Sequence, residues 1–512
     1  MALARTHSVA LVGVEGHVIE VEADIAQGLP ITILVGLPDT ALREARDRIR
    51  AAIVNSAEKW PQSKITVGLS PASLPKRGSG FDLAIAVAIL AASEALPLSS
   101  PQGIMFLAEL GLDGRLRPVP GVLPAVVAAA AGGLSTVVVA AENAAEAHLV
   151  PRVRVAAAGC LAEVAMWLRG GPAPVPPAPP PDPPGGAPGP RSRHRDLAEV
   201  LGQPEARKAV EICAAGGHNL SLLGPPGAGK TMLAERLPTI LPGLEPAAAL
   251  EVTSIHSVAG TLQPGAGLVT EPPFCAPHHT ASKAAIVGGG SGTVRPGAAS
   301  LAHRGVLFLD EAPEFNRDVL DALRQPLEAG EVVIARSSMC ARFPARFTLV
   351  LAANPCPCAK SSSGGAGCGC SPATRRRYLG RLSGPLLDRV DVKVALQPVS
   401  RREMLYDRGY TETSTVVGQR VAIARERMTH RLSGTAWRLN AEIPGAELRR
   451  SFPPESGALR SLDRAMELGQ VSARGADKIV RVAWSVADLA GKPRPGSDEV
   501  SVAIGLWLGV PR

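Results

Sequence analysis

Residues 219–237 read NLSLLGPPGAGKTMLAERL: a short apolar strand, a glycine-rich turn and the start of a helix. The spacing G-x-x-x-x-G-K-T runs from Gly224 through Pro225, Pro226, Gly227, Ala228 and Gly229 to Lys230 and Thr231. Between a strand and a helix, this spacing is that of a phosphate-cradling P-loop. Glycines are required because backbone N–H groups must close around phosphate oxygens with no Cβ in the way. The helix that follows adds the positive end of its dipole. Lys230 can reach the β- and γ-phosphates of ATP, and the Thr231 hydroxyl can ligate Mg2+.

A P-loop needs carboxylates downstream, and RGVLFLDEAPEF (304–315) supplies them at the end of an apolar strand. Asp310 is placed to hold the Mg2+ shell, and Glu311 to polarise the attacking water. FTLVLAANP (347–355) is a further apolar strand, ending in Asn354, a polar group suited to orienting that water. Arg389, in GPLLDRVDV (384–392), can reach a neighbouring subunit's nucleotide as an arginine finger. Arg474, near the start of SARGADKIVRVAWSV (472–486), can reach the nucleotide of its own subunit. By composition alone neither arginine differs from a surface arginine.

The chain has 512 residues, too many for one core, so two or three domains are expected. Apolar residues make up 46%, which is globular composition, whereas aromatics make up only 3%, so cores must be built from Ala, Val, Leu and Ile. The formal charge is +8, and residues 371–450, with sixteen Arg/Lys against eight Asp/Glu, account for that excess. A basic segment suits an acidic partner such as nucleic acid, although an arginine-rich solvated surface explains it equally well. The start MALARTHSVALVGVEGH lacks the apolar run of a signal peptide. The uncharged stretch 123–141 is of membrane length, but its Gly132-Gly133 break suits a helix, a turn and a strand. A cytoplasmic protein without membrane contact is expected.

GGPAPVPPAPPPDPPGGAPGPRSR (170–193) is an extended linker, because proline at that density excludes helix and interior strand. It divides the chain into an α+β domain at 1–169 and an α/β nucleotide-binding domain at 194–398. Strand signals fade after that, and periodic segments such as VVGQRVAIARERMTHRL (416–432) suggest a helical lid at 399–512. The fold class is α/β.

Four of the eight cysteines, Cys356, Cys358, Cys368 and Cys370, lie between Asn354 and the basic run Arg375–Arg377. The pattern C-P-C-x9-C-G-C can bring four thiolates to one structural Zn2+; its C-x-C spacing is tighter than the usual C-x2-C, and unmetallated thiols are the alternative. His278-His279 has no carboxylate or third histidine at ligand spacing, which favours a polar loop over a metal site.

Together these residues resemble the YifB/ComM family of magnesium-chelatase-like AAA+ ATPases. The markers are LVGLPDTALREARDRIRAAIVNS, LPKRGSGFDLAIAVAIL, LGQPEARKAVEICAAGGHNLSLLGPPGAGKT, FCAPHHTASKAAIVGGG, PGAASLAHRGVLFLDEAPEF and SGPLLDRVDV. The resemblance covers nearly the whole chain. It implies a hexameric ring, with Asn354 as sensor 1, Arg389 as arginine finger and Arg474 as sensor 2. It also implies that EVVIARSSMCARFPARF (331–347) is a hairpin projecting into the ring pore, with Arg336 and Arg342 placed to touch DNA. Branch migration or unwinding of branched or single-stranded DNA is the leading activity on this resemblance. A chelatase- or chaperone-type ATPase acting on a protein or tetrapyrrole is the alternative.

The first domain resembles the proteolytic domain of Lon, through LPKRGSGFDLAIA and GLDGRLRPVPGVLPAVVAAAAGGLSTVVVAAEN. Gly80 takes the place of the nucleophilic serine and Ala125 that of the lysine. Ser79 is adjacent, but a serine needs a base, and no lysine lies between Lys76 and Lys208. A non-proteolytic domain is expected.

Overall fold

Alternating residues near the N-terminus build a hairpin, because side chains of period two place one apolar face inward. Ala2–Val12 pairs antiparallel with Glu15–Ala26, and Ile19, Val21 and Ala23 are fully buried. The computed structural model describes residues 2–36, 39–74, 76, 78–174, 195–263, 265–290, 294–336, 339–358, 368–400, 402–403, 407 and 411–509. The linker expected at 170–193 lies outside the described residues from position 175 onward.

The hairpin is the middle of a seven-stranded sheet in the order Thr32–Val35, Lys64–Ser70, Glu15–Ala26, Ala2–Val12, Ile104–Leu107, Thr136–Ala140, Arg154–Ala158. Every residue of the helix Asp82–Ala92 is buried, which is why DLAIAVAILAA shows no polar face. The stretch of membrane length divides as expected into the helix Val122–Ala131, a turn with Gly133 at φ +83°, and the strand Thr136–Ala140. No helix among the described residues is long and apolar enough to cross a membrane.

Beyond the linker, five parallel strands stand in the order Phe274–Cys275, Val306–Leu309, Thr348–Ala353, Leu220–Leu223, Val392–Ala395. Strands covered on both faces read as unbroken apolar runs, and Val306–Leu309 is buried throughout. In parallel sheets ligands bind beyond the carboxyl ends of the strands. The P-loop follows Leu223, Asp310 follows Leu309 and Asn354 follows Ala353, so three distant segments converge there. The segment 331–347 forms a hairpin, Glu331–Arg336 against Met339–Pro344, ahead of the strand Thr348–Ala353.

The C-terminal part is helical, with Ser414–Arg431, Gly445–Arg450, Arg460–Glu467, Ala473–Ala490 and Ser497–Leu508. Its Ile479, Trp484 and Trp507 share one apolar core with Leu220, Leu222 and Leu233 of the P-loop layer. A change in topology near 399 is therefore not a break in packing.

Candidate nucleotide site

The loop closes around its own lysine. Lys230 Nζ donates to the carbonyls of Gly224 (2.8 Å) and Pro225 (3.0 Å), and to Asn354 Oδ1 (2.9 Å). Burial lowers the Lys230 pKa, and the nearby Asp310 and Glu311 carboxylates oppose that shift. Gly227 and Gly229 take φ +76° and +89°, a conformation costly for residues with a Cβ. Thr231 Oγ1 donates to Asp310 Oδ2 at 2.8 Å, so the two candidate Mg2+ ligands already face each other. These residues fit the ion: a hydroxyl and a carboxylate are hard oxygen donors, and nucleotide phosphates would complete its shell.

Glu311 follows in the left-handed region, φ +49° and ψ 42°, which costs a non-glycine residue about 1–2 kcal/mol. Its carboxylate is half exposed and stands 3.4 Å from His279 Nδ1. The sequence around His278-His279 offers no carboxylate at ligand spacing, and the fold brings this one from the next strand end. The two imidazoles lie 4.1 Å apart, centroid to centroid.

Tyr378, which sequence reasoning passed over, is hydrogen-bonded to the Asn354 backbone. Its phenol is pushed up to about 12 by burial first, then by Glu314 and Glu311. Tyr378 lies in the last turn of the helix Pro372–Leu379, which also carries the exposed Arg375, Arg376 and Arg377. Being one of only three tyrosines was its only signal in the sequence.

Arg389 does not stand free. Its guanidinium bonds to Glu328 and to the Pro385 carbonyl, and its side chain is only 14% exposed. The Arg389 carbonyl accepts from Asn219 Nδ2 at 2.9 Å. Asp391 accepts from the Asn219 N–H (2.9 Å) and from Lys478 Nζ (2.7 Å). Lys478 lies one turn along the helix from the exposed Arg474, so both candidate arginines belong to one connected frame. Arg342 is exposed on its hairpin but is paired with Glu331 at 2.7 Å. The Arg336 side chain lies outside the described residues.

The four cysteine sulfurs lie within 4.8 Å of one another. The sulfur separations are 3.1 Å for Cys356–Cys358, 3.4 Å for Cys358–Cys368 and 3.3 Å for Cys368–Cys356. A tetrahedral zinc site with Zn–S near 2.3 Å has sulfurs about 3.8 Å apart, so the donor set fits after a small expansion. The Cys370 backbone hydrogen bond, followed by the Cys356 and Cys358 thiols, pulls the Cys368 thiol down to about 6, whereas burial raises that of Cys356 and the Cys358 thiol raises that of Cys370, so without metal the cluster shares its protons unevenly. Residues 359–367 between the pairs lie outside the described residues. Protein purified without chelator is expected to carry about one zinc per subunit. Cys356→Ser with Cys370→Ser should remove it and raise protease sensitivity near 356–375, because closing the site restricts the loop. Elemental analysis near zero in the wild type would leave only a cysteine-rich loop.

In the N-terminal domain the pattern of a serine–lysine hydrolase is broken. Ala125 is buried among Val9, Met105 and Val122. Ser79 bonds to Glu109, and Lys76 Nζ is occupied by the Pro71 and Leu74 carbonyls. Burial lowers the Lys76 pKa while those two carbonyls hold its ammonium.

The chain is similar to several known proteins. The model of magnesium chelatase subunit ChlI matches residues 196–404, a model of subunit ChlI of Mg-chelatase matches 21–143, and the ChlI C-terminal model matches 411–506. An uncharacterized protein of Mycobacterium tuberculosis is 52% identical over 98% of both chains. The competence protein ComM of Haemophilus influenzae is 41% identical over 99% of this chain and 97% of its own. The uncharacterized protein YifB of Escherichia coli is 41% identical over 96% of this chain and 94% of its own.

Proposed function

The chain belongs to the YifB/ComM family of magnesium-chelatase-like AAA+ ATPases, and from that premise we propose that it is a ring-forming ATP-hydrolysing motor acting on DNA. The observation that carries the hydrolytic part is the convergence of Lys230, Thr231, Asp310 and Asn354 within direct hydrogen-bond contact. Lys230 and the loop N–H groups bind the β- and γ-phosphates. Thr231 and Asp310 would hold Mg2+, whose charge would offset that of the phosphates. Asn354, released from Lys230 by the γ-phosphate, orients water, and Glu311 polarises it. Arg389 acts across a subunit interface in a hexamer, and Arg474 acts within its own subunit.

The DNA part is supported by the similarity to ComM, which is named a competence protein, and by the basic hairpin and the Arg375–Arg377 helix. ATPase assays with no DNA, linear DNA and branched DNA test it. Stimulation by branched DNA is the expected result, whereas no response to any DNA favours a chelatase- or chaperone-type partner. DNA affinity should fall steeply with salt. Substituting Arg336 and Arg342 together should lower the slope of log K against log salt by about one unit for each phosphate no longer neutralised, with basal ATPase unchanged. Arg342 must leave Glu331 to reach a phosphate. A flat salt response, or an unaltered slope in the double variant, would remove the hairpin from the DNA site.

A further inference from the structure

The N-terminal domain meets the ATPase hairpin at the turn that follows its first strand. Gly13, between the first two strands, is buried at φ +67°, and a Cβ there would meet the Arg342 carbonyl oxygen at 2.3 Å. Beside it, Val14 packs with Val258 and Ile334 onto Val294 and the fully buried hairpin residues Ala341 and Phe343. The contact is braced a short way off. The Gly121 N–H donates to the Ser257 carbonyl at 3.1 Å, and the Ser257 hydroxyl donates to Glu146. Leu250 and Leu268 of the ATPase domain pack on the N-terminal core.

A two-stranded hairpin is marginal by itself, so its order depends on what covers its apolar face. Strand alternation turns Ala341 and Phe343 towards Val14 and leaves Arg342 on the exposed face. We propose that the Gly13-Val14 turn is a positioning element: the N-terminal domain backs the hairpin and holds Arg342 outward, towards a ligand with a nucleic-acid phosphate backbone. The ligand class rests on the DNA reading above, whereas the positioning does not. A domain expected to be non-proteolytic thereby has a task, which is to set the posture of the hairpin.

Gly13→Asn in the full chain tests this, because Asn tolerates the left-handed turn while its side chain displaces the Arg342 backbone. Gly133→Asn is the control: the same domain, φ +83°, and nothing within 4 Å of the added Cβ. Val14→Asp is a second disruption at a half-buried position. Amide hydrogen exchange across 331–344 should quicken by about fivefold or more in Gly13→Asn and Val14→Asp, and stay at the wild-type rate in Gly133→Asn. The branched-DNA concentration for half-maximal ATPase stimulation should rise by about fivefold, equivalent to about 1 kcal/mol, with DNA-free hydrolysis unchanged. Unchanged exchange, or quickened exchange with an unchanged DNA response, overturns the proposal. A wild type that ignores DNA sinks the DNA reading instead, and the exchange comparison then decides the positioning role alone.

Discussion

Lys230→Ala is expected to bring ATP turnover to background, a loss on the order of a thousandfold or more, as for other charges that stabilise phosphoryl transfer. The side chain is 8% exposed and its ammonium is held by two loop carbonyls and Asn354, a cage that nucleotide phosphates would replace. No other residue of Gly224–Thr231 offers a positive charge, so no neighbour can substitute. Glu311→Gln should fail differently. It keeps the loop lysine and both candidate Mg2+ ligands, and removes only the carboxylate that activates water. Binding of a fluorescent nucleotide should therefore vanish in Lys230→Ala and persist in Glu311→Gln, with turnover lost in both. Hydrolysis at the wild-type rate in Glu311→Gln would assign water activation to another group.

How much of this was legible in the sequence follows from distance along the chain. The phosphate cradle is local: eight contiguous residues make it, and their spacing alone specifies the turn. Asp310 and Asn354 were legible because each ends an apolar run, and in a parallel sheet such ends gather on one edge. The buried helix Asp82–Ala92 was likewise readable from composition, whereas the hairpin at 331–347 was expected only from the family resemblance. Pairings between remote segments were not. Nothing near His279 announces Glu311, nor anything near Arg389 its partner Glu328, because sheet order and helix packing create those neighbours. Tyr378 behind Asn354 was hidden for the same reason. The left-handed backbone at Glu311 was illegible in another way, since propensity places glycine or asparagine there. The turn on Arg342 shows the limit most clearly: Gly13 reads as a plain hairpin glycine until the second domain is seen pressed against it.

Arg389→Ala is expected to leave each subunit able to bind ATP while hydrolysis falls by about a thousandfold or more, the range of an arginine finger. The substitution is structurally mild. Glu328, its ion-pair partner, is 64% exposed, so leaving it unpaired costs little. The turn itself is held by bonds that do not use the Arg389 side chain, from Asn219 Nδ2 to the 389 carbonyl and from the Asn219 N–H and Lys478 Nζ to the Asp391 carboxylate, and alanine retains all of them. A loss of activity thus reports on the guanidinium and not on a collapsed loop, which unchanged thermal melting would verify. If the finger acts in trans, its defect and that of Lys230→Ala are complementary. A Lys230→Ala subunit supplies an intact Arg389 to the sound P-loop of an Arg389→Ala neighbour. Mixing the two inactive proteins should restore part of the wild-type turnover, whereas two defects within one catalytic unit would stay silent when mixed. Glu328→Gln adds a separate reading, because it loosens the contact that holds Arg389 against its own subunit and should not reduce turnover if that contact is only a resting place. Full activity in Arg389→Ala alone would end the assignment, and the connected frame from Asn219 through Asp391 to Lys478 would then serve only to seat the helical lid on the sheet.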